Sequence, residues 1–464
     1  MAEAQARPLA TAGPERANVA LPLEQIQKVL DDVLDLGEKG AMMAFDMIVS
    51  QAVHHRASDV HFEPWRDCLT IRFRLDGILH EVAMIGKQHQ ERLIARIKVL
   101  SNMVIYMREM PQDGRIDPHA DRMNRSVRAS TFPTVYGEKS VIRVLDHKQD
   151  LMRPDALGFR DDVVAGLRLL VRRPQGALLL TGPSSSGKST TIYSLLRELM
   201  LTHASNRHIV TIEDPVEYQL GRVGQTQINP ATGFTFEVAL RSLLRQDPDV
   251  IMVGEIRDRE TARIAIQAGL TGHLVISTIH SGTSSGVFTR LLDMGIEPFL
   301  AASAVTGVLA QRLLRSNCSH CTRPYTPDPE FLAQYDVPKK KYKFMKGAGC
   351  KECRGLGYLG RLAVGELLIT NDEIAELIID RTRTRTIQEA AVRNGMVTFL
   401  QDAVDRVLSG RSTFEELRMV IPPADEVEQA MRAMAARAKT KVAPSGPKKS
   451  AASAAPAAKA KRGK

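Results

Sequence analysis

The sequence predicts an α/β protein in which a parallel sheet, covered by helices on both faces, follows a smaller α+β domain. Three observations carry this. An apolar run, Ala177 to Leu180, leads into a glycine-rich loop and then into a stretch with helical spacing. Helix and strand patterns alternate from Gly158 to about Thr278, which is the signature of a parallel sheet. Ahead of them, Leu69, Ile71, Phe73 and Leu75 alternate with Thr70, Arg72 and Arg74, the period of a half-buried strand.

In chain order, residues 1–20 read as a loose leader, and Leu21 to Leu36 as an amphipathic helix. A second helix is predicted from about Ala41 to His55. After the alternating strand, Asp76-Gly77 signals a hairpin turn and Ile78 begins the returning strand. A helix over Glu91 to Leu100 and strands over Ser126 to Thr131 and Ser140 to Leu145 complete a mixed domain without a nucleotide loop. Gln149 to Pro154 reads as a linker. Beyond it, strands over His208 to Ile212, Val250 to Val253 and Leu274 to Ser277 alternate with helices over Phe236 to Arg245 and Arg259 to Ala268.

Composition bounds the partners. At 464 residues two or three domains are expected, and 44% hydrophobic with 25% charged residues is the balance of soluble globular chains. No apolar run approaches the ~20 residues that span a bilayer, and the N-terminus lacks the apolar core of a signal peptide. A cytoplasmic location is therefore expected. The net charge of +10 is confined to one place: ten Lys or Arg and no acid lie between Arg432 and Lys464. Without those ten, 53 bases face 53 acids. The neutral body argues against direct nucleic-acid binding. The Ala/Lys/Pro/Ser-rich tail is predicted to be disordered; its preferred reading is a solvated tail, and its sharper one an electrostatic tether to anionic lipid or nucleic acid.

The loop after the apolar run, Gly182-Pro183-Ser184-Ser185-Ser186-Gly187-Lys188-Ser189-Thr190, fills the G-x-x-x-x-G-K-[ST] pattern. Its backbone N–H groups and the following helix N-terminus suit a β-phosphate. Lys188 is placed to reach the β- and γ-phosphates, and the Ser189 hydroxyl to ligate Mg²⁺. Ligands of an open α/β sheet sit beyond the carboxyl ends of its strands. Those ends are Thr181, Glu213-Asp214, Glu255 and Thr278 to His280. Glu255 is read as the acid of the Mg²⁺ shell or as a group that polarises water. Glu213 is read as the candidate for activating the attacking water, with Asp214 and Glu217 as neighbours. His280 follows a strand end, whereas His273 lies seven residues earlier and is a poor metal partner for it. Arg128 and Arg143 sit on strands of the first domain, and Arg241, Arg245 and Arg257 beside the acidic motifs.

Cys318-x-x-Cys321 and Cys350-x-x-Cys353 are separated by 28 residues. Two such turns make a tetrahedral Cys₄ site, so structural Zn²⁺ is expected, with no open position for catalysis.

Gly-Pro-Ser-Ser-Ser-Gly-Lys-Ser-Thr-Thr, Thr-Ile-Glu-Asp-Pro-Val-Glu-Tyr, Arg-Gln-Asp-Pro-Asp-Val-Ile-Met-Val-Gly-Glu-Ile-Arg-Asp and Ala-Gly-Leu-Thr-Gly-His-Leu-Val-Ile-Ser-Thr-Ile-His resemble the GspE/PulE family, the hexameric ATPases of type II secretion and type IV pilus assembly. Arg-Ala-Ser-Asp-Val-His-Phe-Glu-Pro, Pro-Gln-Asp-Gly-Arg and the four cysteines add to the likeness, which covers about residues 41–420. The resemblance implies a RecA-like motor domain behind a PAS-like domain, a ring of six, and ATP bound between the two domains. It implies that Arg128 and Arg143 are inter-domain arginine fingers, that Glu213 lies in an aspartate box, that Glu255 is the second Walker acid, and that His273 and His280 bound a histidine box. The domains would be 1–40 (leader and helix), 41–148 (PAS-like), 149–155 (linker), 156–425 (RecA-like, with a zinc module at 315–360) and 430–464 (basic tail). The partner would be an inner-membrane platform protein, with the motor cytoplasmic and peripheral at that membrane. The tetracysteine insert favours secretion or pilus extension over retraction ATPases, which lack it. About forty residues precede the matching region, fewer than the docking domain of many secretion members needs. A DNA-uptake pilus motor and a RecA-like nucleic-acid translocase are the alternatives.

Overall fold

The computed structural model describes residues 21–116, 127–144, 153–202, 206–217, 219–335, 337 and 342–421. The 1–20 leader, most of the 149–155 linker and the basic tail lie outside these residues.

The first domain is an antiparallel sheet of six strands: β1 (Asp59–Pro64), β2 (Cys68–Leu75), β3 (Ile78–Gly86), β4 (Gln112–Ile116), β5 (Val127–Thr134) and β6 (Gly137–Val144), in the order β3-β2-β1-β6-β5-β4. Asp76-Gly77 makes the two-residue hairpin, with Leu75 opposite Ile78. Helices Leu23–Leu34, Glu38–His54 and Gln90–Leu100 share one core with the sheet, where Ile26, Phe45, Ile48, Phe62, Ile71, Phe73 and Ile97 are buried. Because side chains alternate with period two, the opposite face collects the polar positions. The register sets Arg74, Asp59, Arg143, Arg128 and Arg115 directly opposite one another across five strands.

Strands β1 and β4 were not expected from periodicity. In β1 the charged Asp59 and Glu63 are buried along with Val60 and Phe62, so the usual polar–apolar alternation is missing. In β4 a glycine interrupts the pattern. A Cβ at Gly114 would lie 2.2 Å from the Ser101 carbonyl oxygen, so the close strand-to-loop approach requires glycine there.

The second sheet has β7 (Gly176–Thr181), β8 (Ile209–Glu213), β9 (Gly224–Gln227), β10 (Val250–Ile256), β11 (Leu274–Ile279) and β12 (Val305–Asn317), with β13 (Thr322–Pro324) and β14 (Met345–Gly347) forming a separate ribbon and β15 (Tyr358–Ile369) closing the edge. Its order is β15-β12-β7-β11-β10-β8-β9, parallel except for β15. Helices Asp161–Val171 and Lys188–Leu201 share a core on one face. Helices Phe236–Leu243, Arg259–Leu270, Gly286–Asp293, Pro298–Ala304, Asp372–Ile379 and Thr384–Arg393 share the core on the other. This is the doubly covered parallel sheet that the alternating pattern predicts. The distal half of the long β12–β15 ladder carries the cysteine ribbon and helices Phe399–Leu408 and Phe414–Val420, around a core of Leu314, Phe344, Val364 and Phe414.

Candidate active site and cysteine cluster

The carboxyl ends of β7, β10 and β11 build one cleft. The loop after β7 is held from below. Thr181 Oγ1 donates to the Ser281 carbonyl (2.9 Å) and accepts from the Ser281 N–H (2.8 Å), tying β7 to the loop after β11. The buried Gln311 of β12 donates to the Ser186 carbonyl at 2.7 Å. A Cβ at Gly182, whose φ is +146°, would lie 2.3 Å from the Gln311 carbonyl, so the loop can rest on β12 only with glycine there. The loop after β11 is fixed in turn by the buried Glu366 carboxylate, which accepts from Ser284 N–H (3.0 Å) and Ser284 Oγ (2.6 Å).

Helix Lys188–Leu201 begins at Gly187 with no side-chain cap, leaving its first amides for an anion. Lys188 Nζ donates to the carbonyls of Gly182 (2.8 Å) and Pro183 (3.0 Å). Burial lowers its pKa, and Glu255 opposes that shift. Ser184, Ser185 and Ser189 are exposed, while Ser186 Oγ is buried with no partner among the described residues. A loop of this shape fits the phosphates of a nucleotide.

Glu255 reaches the cleft because β10 and β11 lose register between Val253 and Ile256. Ser277 Oγ and Thr278 Oγ1 donate to the carbonyls of Val253 (2.7 Å) and Gly254 (2.8 Å) there. The Glu255 carboxylate pairs with Arg257 (2.5 Å) and lies 3.9 Å from His280 Nε2. The hydrogen bond to Glu255 raises the Arg257 pKa, with Asp214 adding to it. Lys188, Glu255, Arg257 and His280 are therefore neighbours. His273 lies at the opposite end of β11, its Nδ1 3.1 Å from the Ala268 carbonyl. Arg241 pairs with Glu237 and Glu260 on its helix surface, and Arg245 with the Arg241 carbonyl and Ser242.

Glu213 ends β8, where the sequence places the candidate for activating the attacking water. It is 3% exposed, and its carboxylate accepts from the Tyr193 hydroxyl, Thr211 Oγ1 (2.5 Å) and Gln225 Nε2 (3.1 Å). Burial and the Glu213 charge push the Tyr193 hydroxyl well above the usual range, so it stays a donor. These bonds link β8, β9 and the phosphate-loop helix through Glu213. The carboxylates of that turn with solvent access are Asp214 and Glu217.

Arg128 crosses to the second domain. Its Nη2 lies 3.0 Å from Glu217 and 3.5 Å from the Pro215 carbonyl. Burial lowers its pKa, while Glu217 raises it. Arg143 instead pairs with Asp59 at 3.1 Å, and Arg74 Nε is 3.7 Å from the same carboxylate. Arg74 was missed by motif reading, and Asp59 and Arg115 were quoted only within motifs, with no role given to them. Their signal was the charged position recurring at every second residue of these strands.

The four cysteine sulfurs lie within 4.8 Å of one another, with Cys318–Cys350 at 3.8 Å, Cys321–Cys353 at 3.6 Å and Cys350–Cys353 at 3.7 Å. Four sulfurs about 2.3 Å from one zinc ion would be about 3.8 Å apart, so the donor set fits a tetrahedral ion. The Cys350 and Gly357 N–H groups both donate to Cys353 Sγ at 3.2 Å. Burial raises the Cys353 thiol, but these amides outweigh it and bring the pKa to about 7, whereas burial pushes Cys318 up to about 12.

A glycine-rich cradle at a helix N-terminus, with an acid at the end of a parallel strand two places along the sheet, defines a P-loop nucleotide-binding protein. More narrowly, the chain belongs to the type II/IV secretion system protein family, whose model matches residues 37–419. It is 43% identical over 374 residues to the type II secretion system ATPase E of Vibrio cholerae, covering 80% of this chain and 74% of that one. It is 40% identical over 397 residues to the type IV pilus assembly ATPase PilB of Thermus thermophilus, covering 85% of this chain and 44% of that one. The chain thus spans less than half the length of this pilus relative. The crystal structure of the pilus retraction motor PilT with bound ADP matches with a TM-score of 0.57 and 26% identity, over 82% of this chain and 98% of that one. The ATPase DotB of Legionella pneumophila shares the fold, with a TM-score of 0.58 at 19% identity over 81% of this chain and 94% of that one.

Proposed function

We propose that the chain is an ATP-hydrolysing motor of six subunits that powers type II protein secretion or type IV pilus assembly. The observation that carries the reading is the meeting of Lys188, Glu255 and His280 at the open end of the sheet, beside an uncapped helix N-terminus. The amides of residues 183–189 would seat the β-phosphate, and Lys188 would swing from the Gly182 and Pro183 carbonyls to the β- and γ-phosphates. Mg²⁺, when bound, would offset charge on the β- and γ-oxygens, with the Ser189 hydroxyl as its ligand and Glu255 in its outer shell. His280, beside Glu255, is placed to sense the γ-phosphate. Glu213, with Asp214 and Glu217 as its neighbours, would orient the attacking water. Arg128 would supply positive charge to the developing γ-phosphate, and Arg143 would join it on leaving Asp59. The cysteine cluster would hold structural Zn²⁺ with all four positions filled by thiolates.

A division into a PAS-like domain and a RecA-like domain fits these roles, because Arg128 of the first sheet reaches Glu217 beyond β8. No helix of the described residues is long and apolar enough to cross a membrane. A cytoplasmic motor, peripheral at the inner membrane and working on a platform protein there, is consistent with that. Steady-state ATP hydrolysis should be measured alone, with single-stranded DNA and with anionic liposomes at matched salt. Low activity, raised by liposomes or by neither addition, is the expected result, the second case pointing to a protein activator. Stimulation by DNA alone would replace the reading with a nucleic-acid translocase.

A further inference from the structure

Among the described residues, side-chain hydrogen bonds and ion pairs join the first domain to the second at two places. One is Arg128 with Glu217 in the cleft. The other is at the cysteine cluster, far along the sequence from any catalytic motif. Arg354 follows Cys353 directly and has φ +53°, a left-handed conformation uncommon for a residue with a side chain. The turn holds it there. Arg354 N–H donates to the Lys351 carbonyl (3.2 Å) and Gly355 N–H to the Cys350 carbonyl (2.9 Å), while Cys353 Sγ accepts from two amides.

From that position the half-buried guanidinium reaches the first domain. Its Nη2 donates to the His55 carbonyl at 3.1 Å and lies 3.2 Å from His55 Nδ1. A guanidinium can only donate, so Nδ1 accepts and the ring proton sits on Nε2. Nε2 in turn donates to the Leu21 carbonyl at 2.7 Å, where the first described helix begins. Burial holds His55 below the ordinary histidine range, with Arg354 and His54 adding to this against the Leu21 bond, which matches a neutral ring. His55 is also the C-cap of helix Glu38–His54, the end of a helix that favours a cation. Asp76, in the β2–β3 turn, adds attraction for Arg354, and Arg56 opposes it.

We propose that Arg354 is a positioning residue: it pins the first domain to the four-cysteine turn, so that this turn sets where the arginine row stands over the cleft. The inference rests on the reading of Arg128 as a cation of the reaction. It explains why a module remote from the phosphate loop belongs to the motor. A thiolate-bound turn is rigid, and a rigid turn holds one side chain in one place. With one end of the first domain anchored at His55, Arg128 stays in reach of the β8 turn.

The test uses the full chain with spin labels attached through azido-phenylalanine at the exposed positions Glu81 and Asp293, which sit on the two domains. Zinc content and ATP turnover are read on the same samples. Arg354→Ala should keep its zinc, broaden the inter-label distance distribution, and lower kcat about tenfold at nearly unchanged KM, since the chemical groups remain but are misplaced. Arg354→Lys, which can still donate to the His55 carbonyl, should narrow the distribution again. His55→Ala removes the Nδ1 acceptor and the Leu21 link but leaves the backbone carbonyl, and should broaden it less than Arg354→Ala does. An unchanged distribution in zinc-loaded Arg354→Ala overturns the proposal. If that variant loses zinc, Arg354→Met, which keeps the stem of the side chain but cannot donate, takes its place, and an unchanged distribution in it overturns the proposal. If Arg128→Ala turns over normally while Arg354→Ala still broadens the distribution, the anchor stands and the catalytic reading of Arg128 falls.

Discussion

Replacing Lys188 by alanine is expected to lower steady-state ATP hydrolysis by about 10²–10³-fold or more, the size of effect seen when one charged donor to a transferring phosphoryl group is lost. Lys188 is the cation nearest the loop's own backbone, donating to Gly182 and Pro183 across the space a phosphate would take. Burial works against its charge, and Glu255 is the group that offsets that effect. A multiply charged phosphate would offset it far more, so the site is built to be completed by an anion. The fold should survive, because the loop's fixed points are Thr181 on Ser281 and Gln311 on Ser186. Phosphate release and thermal melting on the same sample separate the two. Unchanged turnover would remove the assignment of this loop.

The second large effect concerns the cysteines. Cys353→Ser is expected to abolish zinc binding and to lower the thermal midpoint by about 3 °C, as a chain of 464 residues does on losing about 3 kcal/mol. Cys353 is buried and its sulfur accepts from two amides, so serine leaves both the metal and the turn incompletely held. The loss should spread to the core that Leu314, Phe344, Val364 and Phe414 form around the ribbon. Atomic absorption should find about one zinc per wild-type chain and none in the variant. Full zinc content in the variant would exclude the four-cysteine site.

The motor sheet was legible because parallel strands are apolar on both faces and stand between amphipathic helices, as Ala177 to Leu180 and Val250 to Val253 show. The strand ends then named Glu255 and His280 as neighbours, and the coordinates place them 3.9 Å apart. Strands β12 and β15 were not read, since the distal part of their ladder bears arginines that pack on other elements, such as Arg315 on Glu416 and Tyr358. The surroundings of Glu213 were not legible for a physical reason. A carboxylate at the end of a buried strand can face the cleft or turn into the protein. Which it does depends on Tyr193, Thr211 and Gln225, whose convergence on it is tertiary. The row Arg74–Asp59–Arg143–Arg128–Arg115 was invisible for the same kind of reason. Each residue lies on a different strand, and only the register aligns them.

The central claim is that the phosphoryl-transfer site is assembled from the phosphate loop of one domain and the arginines of the other. Its most direct test is steady-state phosphate release by Arg128→Ala beside wild type, with ATP affinity and melting temperature measured on the same samples. The predicted result is a loss of at least about 10²-fold in turnover with the fold retained and ATP still bound. Mixing this variant with Lys188→Ala should restore part of the activity if the arginine acts on a neighbouring subunit, and none if it acts within its own chain. Wild-type turnover by Arg128→Ala would contradict the claim and leave the phosphate loop working without the first domain.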